Sequence, residues 1–198
     1  RSTARNSRDA NPLHGIRDGG GEGYWRDTTL VDTARLAVRE HPDRLLLIEG
    51  EQQVTRREVW DKALRLVGFF RARGLAPGDV ISFQLPNWVE AAIVALAARM
   101  AGLVVNPIPP IYREAELGYI LKDCGAKLVF VPNVFRKHDH RAMLQRLRAT
   151  LPALRDVVIV RGGEPGDLTF AEALAGTPAA EGELPKLDAA SIMMVMYT

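Results

Sequence analysis

The sequence predicts an α/β fold: a mainly parallel sheet with helices on both faces, plus a β-hairpin near the N-terminus. Three observations carry this. Short apolar runs ("VISFQL", "LVVNP", "AKLVFV", "RDVVIV") alternate with helix-length stretches, and neighbouring parallel strands need such crossovers. The runs are continuously apolar, as strands covered on both faces are. One helical stretch, "WVEAAIVALAARMAG", is apolar nearly all round and so belongs in a deep core.

The elements follow in order. In "TTLVDTARLAVREHPDR", Leu30, Ala34, Ala37 and Val38 fall at helical spacing, and Pro42 closes the run. "RLLLIEGEQQVTRREVW" holds two short apolar arms around Glu49, Gly50 and Glu51, a tight hairpin whose second arm runs into a helix. Thr55 and Glu58 are spaced as a capping box, and Val59, Leu64, Val67 and Phe70 then face a core. Pro77, Gly78 and Asp79 make a turn before the strand "VISFQL", which Pro86 stops, and Asn87 opens the apolar helix that Gly102 terminates. Helix "REAELGYILKDCG", strand "AKLVFV", helix "HRAMLQRLRATL" and strand "RDVVIV" complete the alternation. "RGGEPGD" is a surface turn leading to a second capping box, Thr169 with Glu172. A linker follows, and then Ile192 to Met196 form an unbroken apolar run that predicts a final buried strand. In doubly wound folds ligands sit at the carboxyl ends of strands, which is where Tyr197 and Thr198 fall.

Composition bounds the function classes. With 47% hydrophobic and 25% charged residues among 198, the chain can build a real core. A formal net charge of +2 gives no global argument for nucleic acid. The single cysteine, Cys124, sits in a structural-looking stretch and cannot form an internal disulfide, so a reducing, cytoplasmic setting is the default. No run approaches the roughly 20 apolar residues of a membrane span. Residues 1–23 are rich in Arg, Ser, Asn and Gly and read as a disordered tail, with one domain over residues 24–198.

Other candidates reduce to simpler readings. His138 and His140, two apart on a helix, point away from each other and read as a solvated surface rather than a metal pair. Arg136, Lys137, Arg141, Arg146, Arg148 and Arg155 beside Leu144, Leu147 and Leu151 form a basic amphipathic helix. Peripheral membrane contact around Arg141 to Arg148 is the functional reading, and a solvated face the plain one. Trp25, Trp60 and Trp88 are scattered and read as packing residues.

Taken together, the motifs resemble the adenylate-forming enzymes: acyl-CoA synthetases, aryl-acid ligases, luciferases and nonribosomal peptide adenylation domains. "VTRREV" is similar to the family's Leu-Thr-Tyr-x-Glu-Leu motif, with Thr55 and Glu58 in register. "RMAGLVVNPIPP" is similar to its Lys-Ala-Gly-x-x-x-x-Pro motif, with Ala101, Gly102 and Pro107 in place. The family's phosphate loop reads Tyr-Thr-Ser-Gly-Thr-Thr-Gly-x-Pro-Lys, of which "MYT" supplies Tyr197 and Thr198. "GLAPGDVISFQLPNW" and "PIYREAEL" look closest to the acyl-CoA synthetase branch, and the resemblance covers about residues 28 to 198.

The resemblance implies that the sequence breaks off inside the phosphate loop, leaving the N-terminal subdomain of an AMP-forming acyl-CoA synthetase. The whole enzyme would use ATP and Mg2+ to convert a carboxylic acid, expected to be a fatty acid, into an acyl adenylate, and coenzyme A to form the thioester. Tyr197 and Thr198 would then begin the ATP phosphate loop. No catalytic residue falls in this chain, which alone is expected to be inactive. Two alternatives stand beside this reading. One is an aryl or alicyclic acid ligase. The other is a non-catalytic binding module ending near Thr198, whose unpaired sheet edge would favour homo-oligomers.

Overall fold

The computed structural model describes residues 28–198, so the tail expected over residues 1–23 lies outside the described residues. Helix α1 (Leu30–Glu40) is started by Thr29, whose hydroxyl accepts from the Asp32 amide at 3.1 Å while Asp32 accepts from the Thr29 amide at 3.0 Å. This capping box satisfies amide donors that the first helical turn leaves unpaired. The expected hairpin is β1 (Leu45–Glu49) with β2 (Gln52–Thr55), antiparallel, and its turn places Gly50 at φ 58°. The second arm enters α2 (Arg56–Ala72) through the predicted box: Glu58 accepts from the Thr55 amide at 2.7 Å and the Thr55 hydroxyl accepts from the Glu58 amide at 3.3 Å.

The remaining elements are β3 (Val80–Phe83), α3 (Val89–Met100), β4 (Val104–Pro107), α4 (Glu114–Asp123) and β5 (Leu128–Pro132). A small hairpin follows, β6 (Val134–Phe135) with β7 (His138–Asp139), and then α5 (His140–Leu147), β8 (Asp156–Val160), β9 (Leu168–Thr169) and α6 (Phe170–Ala175). Five strands form one parallel sheet in the order β4-β3-β5-β8-β9.

Successive side chains on a strand point to opposite faces, and the core divides accordingly. Leu128 and Phe130 join Ile81, Val105 and the buried sides of α2 and α3, whereas Val129 and Val131 join Ile159 and the buried sides of α4 and α5. Helices therefore cover both faces of the sheet, as predicted. On the α4 side the centre of the sheet is polar. Asn106 donates to the Ser82 hydroxyl at 3.1 Å and lies 3.4 Å from the Cys124 sulfur, and burial pushes the Cys124 thiol pKa up.

Three expectations need correction. Residues 191–198 do not form a buried strand: Ile192 and Met196 are 69% and 66% exposed, and the segment touches the sheet through one parallel bridge, Met194 to Val105. Strand β4 is the edge of the sheet, so this segment has a neighbour on one side only among the described residues. Second, α3 begins at Val89 rather than Asn87, because the Val89 amide is capped by Glu49 of the distant hairpin, at 2.8 Å. Third, the basic stretch is not one helix. Arg136 and Lys137 occupy the β6–β7 turn at φ 48° and 64°, and the helix spans only α5.

Candidate functional site

The chain leaves β3 toward β4 on one side and returns through α4 to β5 on the other. Loops from the carboxyl ends of β3 and β5 thus diverge to opposite faces, and such a switch point opens a crevice suited to ligands. Two clusters of side chains meet there.

The first is built on Gln84, immediately after β3 and fully buried. Its backbone amide continues the ladder to Phe130, at 2.9 Å. Its side-chain amide donates to the carbonyls of Pro109 and Tyr112 at 3.1 and 2.9 Å, tying down the loop after β4. Its carbonyl lies 3.2 Å from Nδ1 of His140, the first residue of α5. Because a carbonyl only accepts, this contact assigns the proton to Nδ1. Nε2 is then the bare nitrogen, buried and without a partner among the described residues. Burial, with help from His138 and Arg113, lowers the His140 pKa to about 4, so the ring is neutral at pH 7.

This overturns the surface reading of the two histidines. His138 lies on β7, not on a helix, and its ring stands edge-on to that of His140 with centroids 4.7 Å apart. No group of three His, Cys, Asp or Glu side chains placed to hold a metal occurs among the described residues.

The second cluster is centred on Arg161, just past the end of β8. Its Nε and Nη2 donate to the two carboxylate oxygens of Glu90 at 2.9 and 2.8 Å, and Nη2 also donates to Glu49 at 2.8 Å. The guanidinium lies 4.0 Å from the centroid of the Trp88 ring, and Trp88 in turn meets Phe135 edge-on at 5.8 Å. Loops after β3, β5 and β8 and the β1–β2 turn are joined in this way. The Glu49 carboxylate is held below its usual range mainly by Arg161, and the two carboxylates hold Arg161 above its own. Arg161 adopts φ 59°, a left-handed backbone that L residues enter at a cost, offset here by the contacts of its side chain with Glu90, Glu49 and Trp88. The "RGGEPGD" turn is confirmed as a turn. Gly162 within it sits at φ 112°, which strains any other residue, and a Cβ there would fall 2.8 Å from the side-chain nitrogen of Asn133.

The predicted site residues lie elsewhere. Tyr197 packs on α4, donating its hydroxyl to Asp123 at 2.6 Å and meeting Tyr119 edge-on at 6.3 Å; Thr198 follows it, exposed. Sequence reading missed Gln84, His140 and Arg161 as a group. A polar residue at the end of a buried strand, as in "VISFQL", and a charged residue right after "VVIV" were the available signals. Three arginines of the basic segment are engaged: Arg141 pairs with Asp167, Arg146 with Glu114, and Arg148 donates to the Arg155 carbonyl.

Chemically, the clusters hold loops in place and present aromatic, cationic and neutral-acceptor groups. They contain no nucleophile and base within reach of one another.

Comparison with known proteins agrees with this architecture. Residues 34–198 match the family described as AMP-binding enzyme. The chain is 33% identical over 138 residues to the medium-chain fatty-acid–CoA ligase of Escherichia coli (strain K12), covering 69% of this chain and 24% of that protein. It is 32% identical over 167 residues to the salicyl-AMP ligase / salicyl-S-ArCP synthetase of Mycobacterium tuberculosis, covering 79% of this chain and 29% of the relative. Among solved structures, the Mycobacterium smegmatis MbtA apo structure superposes with a TM-score of 0.76 at 26% identity, over 98% of this chain and 34% of that one. Acetoacetyl-CoA synthetase from Streptomyces lividans shares the fold, with a TM-score of 0.73 at 24% identity over 85% and 28% of the two chains. The chain thus spans less than a third of the length of these curated relatives. A five-stranded parallel sheet flanked by helices, matching the N-terminal subdomain of adenylate-forming enzymes, together with the residues matched, places this chain in the AMP-binding enzyme family.

Proposed function

We propose that the whole protein is an AMP-forming acid–thiol ligase that activates a fatty acid as its acyl adenylate and transfers the acyl group to coenzyme A. The observation that carries this is the family match over residues 34–198, together with the identity to a medium-chain fatty-acid–CoA ligase. An aryl acid is the second reading, favoured by the identity to a salicyl-AMP ligase. The present chain serves as scaffold: it supplies the sheet and the carboxyl-edge loops against which the acid and nucleotide are held, and is inactive alone. In this proposal Thr198 and Tyr197 begin the ATP phosphate loop, although the Tyr197 hydroxyl is already donated to Asp123. In the whole enzyme Mg2+ would be held largely by the phosphates and water, with one or two protein carboxylates. When bound, Mg2+ neutralises phosphate charge.

The enzyme is taken to work in the cytoplasm, and docking at a membrane surface through α5 belongs to the same proposal. The test is pyrophosphate release by the protein encoded by the whole gene, against a panel of fatty and aryl acids, with and without coenzyme A. Turnover only with fatty acids supports the reading, turnover only with aryl acids replaces it with the second, and no acid-dependent release rejects both.

A further inference from the structure

Three donor side chains meet where the β6–β7 hairpin runs into α5: His138 on β7, and His140 and Met143 on α5. Residues three apart on a helix share one face, and His140 and Met143 are both fully buried there. The Met143 sulfur lies 3.4 Å from Nε2 of His138, whose ring in turn stands edge-on to that of His140 with centroids 4.7 Å apart. The three side chains therefore form one cluster.

Nε2 of His140 is the group in this cluster that the fold leaves unused. The Gln84 carbonyl holds the Nδ1 proton at 3.2 Å, so the Nε2 lone pair is bare, buried and without a hydrogen-bond partner among the described residues. A buried acceptor that nothing meets is a loss to folding. Metal-binding histidines are arranged in this way: a carbonyl or carboxylate takes the other N–H and fixes which nitrogen is offered to the ion.

We propose that His138, His140 and Met143 form a binding site for a soft monovalent metal ion, Cu(I). The donor set selects the ion. Imidazole suits zinc, copper, iron and nickel, a thioether selects Cu(I), and copper is the metal common to both. Charge selects the monovalent state. All three donors are uncharged, and the neighbouring Asp139 carboxylate is committed to the Ala142 amide at 2.8 Å. Arg113 opposes positive charge at both rings more strongly than Asp139 favours it, so a single positive charge is accepted more readily than a double one.

The spacing fits a shared ion. At zinc-like bond lengths of about 2.0 Å to nitrogen and about 2.3 Å to sulfur, two ligands at a tetrahedral angle stand roughly 3.5 Å apart. The His138–Met143 separation is 3.4 Å. Half-buried His138, beside the exposed Arg136 and Lys137, gives the ion its way in.

The test is anaerobic competition for Cu(I) between the full chain and the coloured bicinchoninate complex. Cys124→Ser is carried in every chain compared, because a thiolate also takes Cu(I). One Cu(I) per chain is expected to leave the indicator. Met143→Leu, which conserves volume, and His138→Gln, at a half-buried position, should each weaken binding by at least about tenfold, the lower end of what losing even an outer-shell partner costs. Far-UV circular dichroism shows that each variant is folded, and His138→Gln decides alone should Met143→Leu fail to fold. Copper-edge X-ray absorption of the loaded chain should show sulfur together with imidazole nitrogen. Failure to withdraw Cu(I) overturns the proposal, as does binding that both substitutions leave unchanged, since the copper then sits elsewhere, as on Met193, Met194 and Met196. Zn(II) held as tightly as Cu(I) by the same residues overturns the assignment of a soft monovalent ion.

Discussion

Replacing Arg161 tests whether the carboxyl-edge loops are held by one side chain. Arg161→Ala removes a two-pronged contact to Glu90, the contacts to Glu49 and the stacking on Trp88. The arginine side chain is 35% exposed and its partners 26% and 18%, so each ion pair is screened and contributes about 0.5–1 kcal/mol. The cation–π contact at 4.0 Å adds about 1 kcal/mol. The total is a loss of about 2–3 kcal/mol, reduced by screening as salt is raised.

The backbone gives an internal control. At φ 59° alanine keeps the left-handed cost, whereas glycine does not. Arg161→Gly should therefore be about 1 kcal/mol more stable than Arg161→Ala despite having the smaller side chain. Arg161→Lys should fall between parent and alanine, because an ammonium neither forks to two carboxylates nor stacks as a plane. Urea unfolding of the four chains, followed by tryptophan emission, provides the measurement. A loss under about 0.5 kcal/mol for Arg161→Ala, or glycine less stable than alanine, would refute the clamp.

Further outcomes follow from other contacts. His140, with a folded pKa of about 4 against 6.5, refuses a proton that the unfolded chain accepts, so stability should fall as pH drops from 6.5 toward 4, by at most about 3 kcal/mol. His140→Gln should flatten urea midpoints across that window, and an unchanged slope would place the effect elsewhere. Gly68→Ala should destabilise by more than about 2 kcal/mol even though alanine favours helix, since the new Cβ falls 2.0 Å from the Thr177 carbonyl oxygen; thermal melting checks this. Thr55→Ala should cost about 1 kcal/mol by leaving the Glu58 amide uncapped, while Thr55→Ser, which keeps the hydroxyl, should cost less; their urea midpoints decide.

The alternation of apolar runs with helical stretches determined the α/β class, because strands buried on both faces need no polar alternation and parallel neighbours need a long crossover. Local spacing sufficed for the capping boxes at Thr55 and Thr169, whose partners lie three residues away, and for the left-handed Gly102, at φ 71°. The family resemblance was likewise legible in ordered short motifs.

Only the tertiary structure decided matters that depend on distant partners. Glu49 capping α3, Gln84 meeting His140 and Arg161 joining Glu49 with Glu90 are pairings across 40, 56, 112 and 71 positions, for which sequence carries no spacing signal. The run Ile192 to Met196 shows the same limit from the other side. Its composition is that of a buried strand, yet burial is supplied by neighbours, and beside the edge strand β4 it has one among the described residues.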